Sequence, residues 1–200
     1  ETQALQLHAM MAARARILAA PGVDVLHTLL AEAQRRAAIL GILGISTPTE
    51  SSAQNCGALY AGALAAAQLH DFSAATRLLK QLKRQVADMP ISSHTRKVVE
   101  LLGIDIALLE GKLAPLTAFH SPNKNLVRAE LLTHAKALTA AGRAPEVSLV
   151  LRPWVMEHPK DALAWQLLAQ AYGQQNQPVR AIQADAESRI AQLEYAGALD

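Results

Sequence analysis

Trp165-Gln166-Leu167-Leu168-Ala169-Gln170-Ala171-Tyr172 sets large, small and aromatic residues at helical spacing, and a small residue, Ala181, sits on the helical run that follows. Sliding the segment 131–147 forward by 34 residues pairs Leu131 with Trp165, Ala135 with Ala169, Leu138 with Tyr172 and Val147 with Ala181. Small residues at Ala169 and Ala181 allow two helices to approach closely, while Trp165 and Tyr172 fill the space toward neighbours. One hairpin of this kind cannot bury that face alone, so the pattern predicts stacked helix pairs.

A large residue, a Leu-small pair, an aromatic and then a small residue on a second helix, recurring every 34 residues, are tetratricopeptide positions. An earlier unit of the same type is expected around Ala63, His70-Asp71-Phe72 and Ala75, with Leu79 and Leu82 on its second helix. A looser one is expected around Ile104, Ala107, Glu110-Gly111 and Leu116. Spacings there depart from 34, near 41 and then 31, which predicts irregularity in the middle of the array.

Composition agrees. Of 200 residues, 40 are Ala and 31 are Leu, both strong helix formers, and aromatics are only 4%. The expected fold is all-α: a tetratricopeptide-like right-handed superhelix of antiparallel helix pairs, about ten helices in all. Short breaks are expected at Pro21-Gly22, His70-Asp71, Met89-Pro90, Glu110-Gly111, His120 to Asn123, Ala141-Gly142, His158-Pro159 and Asn176 to Pro178. The polar stretch Ser46 to Ser52 is the longest expected connection. It sets residues 1–45, read as an N-terminal helical hairpin, apart from a repeat array over 53–200. Since the sequence opens at Glu1 without methionine and stops at Asp200 inside a helical pattern, it reads as a piece of a longer protein.

Several function classes are disfavoured. A net charge of +2 lacks the positive field that nucleic-acid backbones require. The uncharged run from Ser51 to His70 has an apolar middle too short to span a bilayer. The single cysteine, Cys56, sits in an Ala-rich helical pattern and reads as a small buried side chain. No two of the seven histidines (His8, His27, His70, His94, His120, His134, His158) are close enough for an H-E-x-x-H zinc site. No G-x-S-x-G elbow, phosphate loop or dinucleotide fingerprint occurs. Neither catalytic residues nor a cofactor or metal site is therefore expected in this chain.

Two surfaces remain. The inner positions of the array, Leu101, Asp105, Leu132, Lys136, Gln166 and Gln170, are expected to line a groove suited to a helix or an extended segment. The basic cluster Arg77, Lys80, Lys83, Arg84, Arg96 and Lys97 reads either as a solvated helix face or as a docking patch for an acidic partner or membrane headgroups.

The stretches Gln6-Leu7-His8-Ala9-Met10-Met11-Ala12-Ala13-Arg14-Ala15-Arg16 and Gln177-Pro178-Val179-Arg180-Ala181-Ile182-Gln183-Ala184-Asp185-Ala186-Glu187-Ser188 go beyond a generic repeat. They resemble the C-terminal half of bacterial periplasmic zinc metallopeptidases of the HtpX-like class, of the beta-barrel assembly-enhancing protease type. In that family a gluzincin domain bearing H-E-x-x-H precedes a tetratricopeptide domain. The resemblance implies that this segment is the non-catalytic interaction domain of a zinc-dependent metalloendopeptidase. It further implies protein or peptide clients, contact with the parent's protease domain, zinc in the parent and a periplasmic role in outer-membrane protein quality control. The competing expectation is a repeat adaptor or regulator attached to no protease.

Overall fold

The computed structural model of the chain describes residues 2–43, 49–90, 93–112 and 128–192. Among these residues every regular element is an α-helix, and there are nine: α1 (Thr2–Leu18), α2 (Val23–Leu43), α3 (Thr49–Gln68), α4 (Phe72–Gln85), α5 (His94–Glu110), α6 (Arg128–Ala140), α7 (Ala144–Glu157), α8 (Ala162–Gln174) and α9 (Pro178–Ala191). The all-helical expectation holds, and the expected breaks within the described residues fall between these helices or at their ends. His120 to Asn123 and Leu116 lie outside the described residues.

The chain forms two compact units, Glu1–Gly111 and Lys112–Asp200. The boundary expected at 46–52 is therefore replaced by one after Gly111. Residues 49–52 are the opening of α3 rather than a linker, and α1 and α2 do not form a self-contained hairpin. Each packs on α3 instead, which also contacts α4 and α5. The sequence of α3 explains this. From Leu59 to Ala67 every residue is buried, including Tyr60, Gly62 and five alanines. A helix apolar on all sides must be enclosed on all sides, and small side chains let several helices press on it at once.

In the C-terminal unit the 34-residue register is visible in the backbone. The first residues of α7 and α9, Ala144 and Pro178, lie 34 positions apart, and so do the last residues of α6 and α8, Ala140 and Gln174. The turns repeat as well: Gly142 at φ 71° and Asn176 at φ 56° occupy equivalent left-handed positions. In both turns the next N–H reaches back five residues, from Arg143 to the Leu138 carbonyl at 2.9 Å and from Gln177 to the Tyr172 carbonyl at 3.0 Å. This helix-closing motif satisfies carbonyls that the helix end would leave bare. His70, at φ 60°, closes α3 similarly, with Asp71 N–H on the Ala66 carbonyl at 2.8 Å.

The core of this unit is built from Leu131, Leu138, Val147, Leu151, Val155, Leu168 and Tyr172, among others. α8 packs on α6, α7 and α9. The positions 34 residues beyond the buried Leu151 and Val155 are Asp185 and Arg189, which are exposed and form an ion pair at 3.0 Å. The outer side of α9 therefore carries polar residues where α7 carries core.

Candidate functional site

Three helices build the candidate site. α7 contributes Leu149, Arg152, Pro153, Val155 and Met156; α8 contributes Trp165, Leu168 and Tyr172; α9 contributes Arg180, Gln183 and Ala184. Together they line a concavity of about 560 Å³, within the size range of ordinary ligand sites. Leu168 and Ala184 are buried and form part of its floor. At the rim, Leu149 is 71% exposed and Met156 80%. Large apolar side chains left in water beside an apolar hollow are the usual mark of an interaction surface.

The walls have a local origin in sequence. Leu149, Arg152 and Met156 stand at i, i+3 and i+7, one stripe of α7, while Leu151 and Val155 form the buried stripe beside it. Pro153 sits inside the same helix. Lacking an N–H, it cannot donate to the Leu149 carbonyl four residues back, so this wall contains a backbone acceptor without its helical donor. On the opposite wall, the Arg180 guanidinium lies 5.8 Å from the centroid of the Tyr172 ring, in cation–π range.

Beside the groove stands Asp161, the N-cap of α8. Its carboxylate accepts from Arg128 Nε at 2.8 Å and Nη2 at 2.7 Å, from Trp154 Nε1 at 2.9 Å and from the Ala164 N–H at 3.4 Å. Burial opposes ionisation here, but these hydrogen bonds and the Arg128 charge outweigh it and hold the carboxyl below its ordinary value. The indole of Trp154 also stacks on His158, ring centroids 3.8 Å apart. One side chain thus ties together the start of α6, the end of α7 and the start of α8.

The six residues expected to line a groove are placed differently. Leu101 and Asp105 belong to the N-terminal unit, the other four to the C-terminal unit. Leu132 is only 5% exposed and serves the core. Asp105 is engaged by Arg14 Nη1 at 2.7 Å, the same nitrogen that donates to the Tyr60 hydroxyl at 2.9 Å. Lys136 is half-buried, and Gln166 and Gln170 are exposed one turn apart on α8. None of the six lines the concavity.

The basic cluster also divides. Arg77, Lys80, Lys83 and Arg84 are exposed along α4, a helix without a single acidic residue. Arg96 and Lys97 are half-buried on α5, and Arg96 pairs with Glu100 at 3.6 Å while donating to the Met89 carbonyl at 3.2 Å.

Cys56 is buried, and desolvation pushes its thiol up to about 11, which keeps it protonated at neutral pH. Among the described residues no group of three or more His, Cys, Asp or Glu could hold a metal ion, and no helix is long and apolar enough to cross a membrane. Comparison with protein-family models, curated proteins and solved structures finds no match to this chain.

Proposed function

We propose that this chain is a non-catalytic interaction domain of the tetratricopeptide type that holds polypeptide clients in the α7–α9 groove. By its resemblance, it acts as the C-terminal part of a zinc-dependent metallopeptidase of the HtpX-like class in periplasmic quality control of outer-membrane proteins. The observation that carries the binding role is the apolar hollow rimmed by Leu149 and Met156, both largely in solvent. The 34-residue register of the helix pairs supports the repeat type.

Binding here would raise the local concentration of client near a protease without any chemistry in this domain. The attachment to a peptidase is tested by reading the coding sequence ahead of Glu1. An H-E-x-x-H motif there supports the protease; a helix-turn-helix in its place supports the adaptor reading and removes the zinc from the account.

Leu149→Asp combined with Met156→Asp is expected to weaken binding of β-casein, an unstructured polypeptide, by about tenfold or more, since burying each apolar side chain is worth roughly 1.5–3 kcal/mol. Fluorescence anisotropy measures it. Far-UV circular dichroism should not change, because both positions are exposed. Lys136→Glu with Gln170→Ala is expected to leave casein binding as it was. Equal affinity for the groove variant and the parent chain would remove the groove from the proposal.

A further inference from the structure

We propose that the groove selects apolar segments carrying carboxylates, held between Arg152 on α7 and Arg180 on α9. This inference rests on the polypeptide-binding reading above and narrows it to one chemical class of client.

The distribution of arginines points to it. The described part of the C-terminal unit has five. The three outside the groove each hold a carboxylate: Arg128 with Asp161 at 2.7 Å, Arg143 with Glu146 at 2.5 Å and Arg189 with Asp185 at 3.0 Å. The two that line the groove hold none among the described residues. Arg152 makes no ion pair there at all, and Arg180 donates only to the Gln177 side chain, at 3.1 Å.

Among the described residues no Asp or Glu lines the concavity. Glu157 follows Met156 in α7 and Glu187 lies one turn beyond Gln183 in α9, yet neither contributes to the lining. The Tyr172 ring beneath the Arg180 guanidinium keeps that cation at the groove rather than free in solvent. Two guanidiniums with no carboxylate partner among the described residues, beside an apolar floor, attract carboxylate, which each can grip with two parallel hydrogen bonds.

The dimensions limit the occupant. From Leu149 to Met156 the α7 wall runs two turns, about 10 Å. An extended segment of three residues covers the same distance, about 10 Å. The fitting ligand is therefore a short apolar anchor with acidic side chains beside it, whose backbone N–H groups meet the wall that carries the Leu149 carbonyl. Met156, unbranched and adaptable, suits a pocket that takes several different anchors.

The test uses the full chain and three pools of fluorescein-labelled heptapeptides. All carry Leu or Phe at positions three and five; positions two and six are Glu, Gln or Lys. The Glu pool should bind about tenfold more tightly than the Lys pool at low salt, with the ratio shrinking at 0.5 M salt. Arg152→Glu with Arg180→Glu should invert the order of the Glu and Lys pools at unchanged helicity. Lys80→Glu with Arg84→Glu on α4 should leave the ratio alone. Equal binding of all three pools that is nevertheless lost in Leu149→Asp would overturn the carboxylate preference and keep the polypeptide reading. No binding of any pool would overturn both. A Glu preference that survives in the Arg152/Arg180 variant, or moves with the α4 variant, would show that these two arginines do not read the client.

Discussion

Replacing Asp161 by alanine is expected to destabilise the C-terminal unit by about 2–3 kcal/mol. Loss of the N-cap costs about 1 kcal/mol, and leaving the half-buried Trp154 N–H without its acceptor costs a similar amount. The pair with Arg128 adds less than the same pair would in a core, because Arg128 is 55% exposed and solvent screens it. Urea unfolding followed by tryptophan fluorescence reads the effect directly, since both tryptophans, Trp154 and Trp165, belong to this unit. The pH dependence has a defined sign. The folded carboxyl titrates below its unfolded value of about 4, so its contribution is complete above that value and disappears as pH falls through the folded one. The difference in urea midpoint between the parent chain and Asp161→Asn should be constant from about pH 5 to 8 and should shrink below about pH 4. A difference that persists at low pH would mean that the ionised carboxylate is not what joins the three helices.

Gly62→Ala is expected to cost about 2–3 kcal/mol, although alanine is intrinsically the better helix former by about 1 kcal/mol. A methyl group at residue 62 would fall on the Cβ of Ala33 in α2 and lie 3.2 Å from Leu78 Cδ1 in α4. Neither neighbour can withdraw, as Ala33 has no further rotamer and Leu78 is buried. The helices must therefore part. Gly103→Ala on α5 is the internal control. The nearest atom to its added methyl, Leu79 Cδ2, is 3.4 Å away, an ordinary contact, so this change should stabilise by about 0.5–1 kcal/mol. Thermal unfolding by circular dichroism compares the two. If both substitutions stabilised the chain, the close seating of α2 on α3 would be wrong.

The helices were legible because Ala- and Leu-rich runs are cut by short breaks of Gly, Pro, Asn, Asp and His, and the 34-residue offset brought equivalent positions into line. The chemistry of those breaks is visible only in the structure, where Gly142 and Asn176 take left-handed conformations and Asp71 and Asp161 cap α4 and α8. The division after Gly111 was not legible. Ser46 to Ser52 looks like a linker by composition, yet polar residues are tolerated at the opening of α3, where Ser52 accepts from Gln6 Nε2 at 2.7 Å. Arg14 and Asp105 are 91 residues apart, and no local pattern announces that pairing. The groove escaped for a different reason. Gln166 and Gln170 are exposed on α8, but the hollow opens on another side, between α7 and α9 over the aromatic residues of α8. A signal was present in α7, where apolar residues occupy two adjacent stripes when one suffices for a core helix. Leu149 and Met156 are the second stripe, and Pro153 interrupts it.

Site-specific photocrosslinking shows which face of the C-terminal unit meets a client. A benzophenone amino acid is placed, one position at a time, at residues 149, 156, 136 and 170, and the full chain is irradiated with β-casein. Cross-links concentrated at 149 and 156, and competed by unlabelled casein, are the predicted result. Cross-links concentrated at 136 and 170, with none at 149 or 156, would place the client on the face that carries Lys136 and Gln170 and would show that the α7–α9 groove does not hold it.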